Sequence, residues 1–201
     1  MSLKTSYRFI APFYDAILDH GIAADIRRRS LSKLAQQEHG RVLLSGAGTG
    51  LDFPFLPPHH GYIALDLTSA MLARAKPRAG NLQMQMVQGD SMTLPFTNAS
   101  FDYVVLHLIL AVVPQPQLCL KEAARVLKPG GRILLLDKFL RRGKRAWLRR
   151  FLSPLVGQLA TRLDVVFEDV LETALGLRIL TDEPVLARGW FRLIELQKDE
   201  A

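Results

Sequence analysis

Three glycines at alternate positions, Gly46, Gly48 and Gly50, follow the apolar run Val42-Leu43-Leu44-Ser45. Twenty positions after Gly46, a second apolar run, Tyr62-Ile63-Ala64-Leu65, ends in Asp66. Glycine has no Cβ, so such a loop lets backbone N–H groups approach a ligand closely. A carboxylate at the next strand end can accept from two vicinal hydroxyls of a ribose at once. Together these residues describe a nucleotide-like cofactor site. A dinucleotide fingerprint needs a small residue where Leu51 stands, so the spacing here, G-x-G-x-G, is a different one. His107 closes a later apolar run and brings an imidazole that titrates near neutrality. It reads equally as a hydrogen-bonded histidine anchoring the helix that follows. Cys119 sits in a Leu-Cys-Leu run and reads as core filler. His59-His60 has no partners at zinc spacing, so no metal site is read.

These residues need elements to carry them. Apolar runs over 41–45, 62–66, 82–87, 101–107 and 132–137 have the length and continuity of buried parallel strands. Helical spacing covers 69–75 and 117–127, and Lys128-Pro129-Gly130-Gly131 forms a sharp turn into the fifth strand. Segments 177–180 and 190–196 form a closing antiparallel pair. Before the first strand, apolar residues from Tyr7 to Leu18 recur at roughly helical spacing, interrupted by Pro12. A second helix is expected over 23–37, with Arg27, Arg28 and Arg29 exposed. The two helices have two open placements: packed on the flank of the sheet, or across the ligand as a lid.

At 201 residues, with 49% apolar and 22% charged, the chain has the composition of one globular domain. A single cysteine excludes an intramolecular disulfide and points to a reducing compartment. No signal-peptide pattern opens the sequence, and its longest uncharged apolar run, 103–113, is too short to span a bilayer. A cytoplasmic protein is expected. The net charge is +7. Seven bases without an acid, Lys138, Arg141, Arg142, Lys144, Arg145, Arg149 and Arg150, equal that whole excess. With Trp147 and Phe151 at i, i+4, the 138–152 segment reads either as a contact for an anionic membrane surface or anionic substrate, or as a packed helix with solvated bases.

The order of glycine loop, acid-terminated second strand, Gly89-Asp90-Ser91-Met92, helix, Lys-Pro-Gly-Gly and fifth strand resembles the class I S-adenosylmethionine (SAM)-dependent methyltransferases over 41–137. The resemblance implies an α/β, Rossmann-like, doubly wound seven-stranded sheet, mostly parallel with an antiparallel last strand, under an N-terminal helical lid. It implies a single methyltransferase domain over 1–201: a cap over 1–40, a cofactor core over 41–137, and substrate-side elements over 138–201. It also implies SAM contacts from Ser45, Gly46, Ala47, Gly48, Gly50, Asp66, Leu67, Met71, Asp90, Ser91, Met92 and His107, with Asp90 accepting from the adenine amine. Where the family usually has an acid to hold the methionyl amine, this chain has Ser45, and Asp52 could substitute. Tyr14-Asp15 and the 48–57 segment resemble the ubiquinone/menaquinone C-methyltransferases and bacterial phospholipid N-methyltransferases. That subgroup implies a small, lipid-like acceptor, with His107, Tyr14, Tyr7 and His20 as candidates for base or aligning groups. A peripheral contact at the inner membrane face through 138–152 fits the same reading. Two alternatives remain: an RNA methyltransferase, against which no flipped-base motif or RNA-binding module is seen, and a non-catalytic SAM-binding or membrane-associated relative.

Overall fold

A computed structural model describes residues 21–36, 38–140, 165–186 and 189–200. Chain order runs α1 (Ile22–Leu31), β1 (Arg41–Ser45), β2 (Gly61–Asp66), α2 (Ser69–Ala75), β3 (Met84–Gln88), β4 (Phe101–His107), α3 (Pro116–Val126), β5 (Leu127–Lys138), α4 (Phe167–Leu171), β6 (Leu177–Leu186) and β7 (Phe191–Lys198). The seven strands form one sheet in the order β3-β2-β1-β4-β5-β7-β6. β1 to β5 are parallel, and β7 runs antiparallel to both β5 and β6. This is the mostly parallel, doubly wound sheet expected from the sequence, with both closing strands longer than expected.

The central strands read as uninterrupted apolar runs because both faces are covered. On one face Leu43, Ile63, Leu65, Val104, Leu106, Ile133 and Leu135 pack with Cys119, Leu120, Ala123 and Val126 of α3. Burial there pushes the Cys119 thiol up to about 12, as suits a packing residue. On the other face Val42, Leu44, Tyr62, Tyr103, Val105 and Leu134 pack with Leu31 and Leu34. α1 lies on this second face, where Ile26 meets Leu136 and Leu193. Ion pairs join Arg29 to Glu183 and Lys33 to Glu195 across to β6 and β7. α1 therefore takes the flank placement. Residues 1–20, with Tyr7, Tyr14, Asp15 and His20, lie outside the described residues, as do 141–164 with most of the basic segment.

Three expectations are corrected. The helix over 23–37 is α-helical only to Leu31, then tightens to a 3-10 turn over Ser32–Gln36; Ser32 Oγ donates to the Arg29 carbonyl at 2.9 Å, a side-chain bond that competes with regular helix. Arg27 is buried, not exposed, because the inward face of α1 is Ile26, Arg27, Ser30 and Leu31. The Lys128–Gly131 turn is part of β5, which begins at Leu127 opposite Phe101 and shifts register before Arg132 pairs with Tyr103. The chain passes so close there that a Cβ on Gly131 would lie 2.9 Å from the Asp102 carbonyl oxygen.

Candidate active site

Strand order reverses between β1 and β4, and in open α/β sheets ligands bind beyond the carboxyl ends of the strands at that reversal. Ser45, Asp66, His107 and Lys138 close or nearly close β1, β2, β4 and β5 there, and Asp90 follows β3.

The three glycines of the first loop have φ of 79°, 56° and 79°, but their surroundings differ. A Cβ on Gly46 would stand 2.6 Å from Ile109 Cδ1, and one on Gly50 2.9 Å from the Phe53 ring. Above Gly48 a Cβ would meet nothing within 4 Å. The outer glycines are required by the protein's own packing, whereas Gly48 faces open space. Asp66 borders that space. Its Oδ2 accepts the Gly48 N–H at 2.9 Å, and its Oδ1 accepts the Thr68 N–H at 3.0 Å. Burial nonetheless raises its pKa, against the pull of these donors. The fixed carboxylate keeps acceptor capacity on Oδ2, so a cradle open at Gly48 with an anchored acid beside it fits the ribose and amino-acid portions of SAM.

Around Asp90 the chain turns tightly: Oδ1 accepts the Met92 N–H at 2.8 Å, and the Asp90 carbonyl accepts from Thr93. Ser45 is buried and donates its hydroxyl hydrogen to Ser91 Oγ at 2.8 Å, joining the end of β1 to this turn. Ser45 Oγ thus retains acceptor capacity but brings no charge. Asp52 is engaged elsewhere: its Oδ1 is 3.0 Å from His107 Nδ1 and 3.2 Å from Arg27 Nε. His107 first, then Arg27, hold its carboxyl below the usual range despite burial.

A carboxylate only accepts, so His107 carries a proton on Nδ1. In the neutral ring Nε2 then accepts from Ser30 Oγ, 3.0 Å away. Both ring nitrogens of this buried histidine are therefore engaged, but they tie the end of β4 to α1 and to Asp52 rather than to the helix that follows. The backbone turns sharply after it, with Leu108 at φ 57° and its N–H on the Leu136 carbonyl at 2.7 Å. Of the other expected contact residues, Leu67 is exposed, Met71 buried, and Ala47 and Met92 half-buried.

Sequence reasoning missed Ser30 and Arg27, polar residues on an inward helical face, whose only signal was their spacing at i, i+3. It also gave Asp137 no role. Asp137 is fully buried at the end of β5 and accepts the Ala111 N–H at 3.0 Å, fixing the loop after β4. Burial lifts its pKa to about 6. Among the described residues no group of three or more His, Cys, Asp or Glu side chains could hold a metal ion.

An open, doubly wound sheet with a glycine loop after β1 and an acid ending β2 defines a nucleotide-type cofactor-binding α/β protein. Residues 43–135 match a methyltransferase domain family. That match, with the relatives below, supports a class I SAM-dependent methyltransferase with SAM as its cofactor. It is 28% identical to a phosphatidylethanolamine N-methyltransferase of Cereibacter sphaeroides, over 89% of this chain and 90% of that one. To a ubiquinone/menaquinone biosynthesis C-methyltransferase of a Ruegeria species it is 36% identical over 65% of this chain, and the match spans only 56% of that protein. The solved structure of a SAM-dependent methyltransferase from Thermotoga maritima, described as a possible histamine N-methyltransferase, superposes with a TM-score of 0.70 at 21% identity. That likeness covers 98% of this chain and 100% of the other, and shows the fold.

Proposed function

We propose that this chain transfers a methyl group from SAM to a small amphiphilic acceptor of the quinone or phospholipid type. The near full-length alignment with a phosphatidylethanolamine N-methyltransferase carries this reading. SAM supplies a methyl on a sulfonium, an already activated leaving group. The chain's task is to bind, align and exclude water. Asp66 holds the ribose hydroxyls, Asp90 accepts from the adenine amine, and Ser45 accepts from the methionyl amine. Gly46, Ala47, Gly48 and Gly50 bring backbone close to the amino-acid portion, and Leu67, Met71, Ser91 and Met92 border the adenosine. A base is needed only if the acceptor must lose a proton. His107 serves as that base once Ser30 rotates off Nε2, with Tyr14 and Tyr7 as aligning groups. Among the described residues no helix is long and apolar enough to cross a membrane. The basic 138–152 segment brings the enzyme to an anionic lipid surface.

Ser45 favours a second reading, SAM binding without catalysis, because Asp52 is held by Arg27 and His107 and does not replace the missing acid. Incubation with methyl-labelled SAM and, separately, phosphatidylethanolamine, a demethylated quinol and RNA decides the matter. Label in a lipid or quinol product is expected. Label in RNA alone, or in nothing while SAM binds, overturns the proposal.

A further inference from the structure

On the sheet face covered by α1, the even-numbered residues of β5 point inward. Arg132 reaches Gln36 and Glu195, Leu134 joins the layer of Leu31 and Leu34, and Leu136 meets Ile26. The two-residue period of a strand places Lys138 next in that row. Leu136 pairs with His107 across the ladder. Lys138 therefore stands about 7 Å along the sheet and about 5 Å across it from His107, at the carboxyl edge of the strands.

Lys138 is half-buried, and desolvation lowers its pKa against a weaker opposing attraction from the Asp137 carboxylate. The carboxylates of its own face are already matched: Asp52 by His107 and Arg27, Glu195 by Lys33 and Arg132, Glu183 by Arg29. Asp137, its neighbour in sequence, turns to the opposite face and accepts the Ala111 and Lys138 N–H groups. Among the described residues no carboxylate forms an ion pair with the Lys138 ammonium. An ammonium withdrawn from water and left unpaired is costly unless a ligand supplies the anion. Beside it stand Ile26, Leu136, Leu193, Val185 and Leu186, an apolar cluster whose last two members are only partly buried. A compact cation next to hydrocarbon suits an anionic group attached to an apolar chain.

We propose that Lys138 is the acceptor-anchoring residue of the site, its ammonium binding a phosphoryl group of the acceptor and thereby turning the acceptor's nucleophilic end toward the cleft at β1 and β4. This rests on the reading of the chain as a methyltransferase of amphiphilic acceptors. It separates Lys138 from the remaining bases of the 138–152 segment, which that reading assigns to the lipid surface.

Titration calorimetry on the full chain saturated with S-adenosylhomocysteine tests the proposal with three probes: dihexanoyl phosphatidylethanolamine, dihexanoylglycerol, which lacks the phosphoryl group, and phosphoethanolamine, which lacks the acyl chains. Wild type should bind a phosphoryl-bearing probe at least tenfold tighter than dihexanoylglycerol. Lys138→Gln should reduce that preference to within twofold, and Lys138→Arg should retain most of it, with thermal melting unchanged in both. Phosphatidylethanolamine binding above phosphoethanolamine identifies a lipid source for the anion; equal binding identifies a soluble one. No phosphoryl preference in wild type, or a preference intact in Lys138→Gln, overturns the assignment. Methyl transfer from labelled SAM to the same probes, assayed separately without S-adenosylhomocysteine, keeps the two claims apart. Lys138-dependent binding without any transfer refutes the functional reading, and transfer with a Lys138-independent preference refutes this one.

Discussion

Asp66 Oδ2 accepts the backbone N–H of Gly48 at 2.9 Å, so the acid that ends the second strand is fastened to the glycine loop that follows the first. The bond fixes the carboxylate beside the open space over Gly48 before any ligand arrives. Replacing Asp66 with alanine should weaken SAM and S-adenosylhomocysteine binding by about 1.5–3 kcal/mol, the loss of a charge-assisted hydrogen bond. Calorimetry giving unchanged affinities would remove Asp66 from the ribose.

The proposed function gives Ser45 the methionyl amine, and its hydroxyl is bonded to Ser91. Ser45→Asp should tighten SAM more than adenosine, because adenosine has no amine. Equal changes for both, measured by competition, would mean that the amine is held elsewhere.

The Asp52 carboxylate sits between His107 and Arg27, and both favour its charged form. Its folded pKa is depressed, so its contribution to stability is present above the ordinary value of 3.8 and is lost as pH falls through the folded value. Asp52→Asn should cost about 3 kcal/mol at neutral pH, as expected when one partner of a buried ion pair is removed. Urea unfolding at pH 7 that gives less than about 1 kcal/mol would show that Arg27 and His107 do not depend on this carboxylate.

Asp137 behaves in the opposite sense. Its folded pKa near 6 lies above the ordinary 3.8, so the native state prefers the protonated acid. Stability is lost as pH rises from 3.8 to about 6, with a total near 3 kcal/mol at 1.36 kcal/mol per unit. Asp137→Asn keeps an acceptor for the Ala111 N–H and removes the ionisation. Melting temperature followed across pH 4–7 should flatten in this variant relative to wild type. Parallel curves would place the titration on another group.

The basic segment invites a vesicle experiment. Co-sedimentation should rise with anionic lipid content, fall with salt, and drop when Arg141, Arg142, Arg149 and Arg150 are neutralised together, at about 1 kcal/mol per base near the surface. Wild type that ignores anionic vesicles at low salt would end the membrane proposal.

The sheet was legible because strands buried on both faces must be continuous apolar runs, and Val42–Leu44, Tyr62–Leu65 and Ile133–Leu136 are such runs. The glycine loop and Asp66 were legible from spacing alone. Arg27 and Ser30 were not, because a helical face that meets buried polar partners looks like a solvent face until Asp52 and His107 are placed beside it in three dimensions. The Lys128–Gly131 segment misled for a related reason. Proline and glycine mark a break in direction, but here they accommodate a register shift inside one strand, which only the pairing with β4 defines.

The unequal surroundings of the three loop glycines bear on how this chain could drift over evolutionary time. A descendant that gave up its cofactor would still need Gly46 against Ile109 and Gly50 against Phe53, since any side chain there collides with the protein itself. Only Gly48 would be released, and its φ of 56° is one that asparagine or aspartate can adopt. In divergent copies of this loop the outer glycines are thus held by the fold itself, and the middle one is the position that packing leaves free to change.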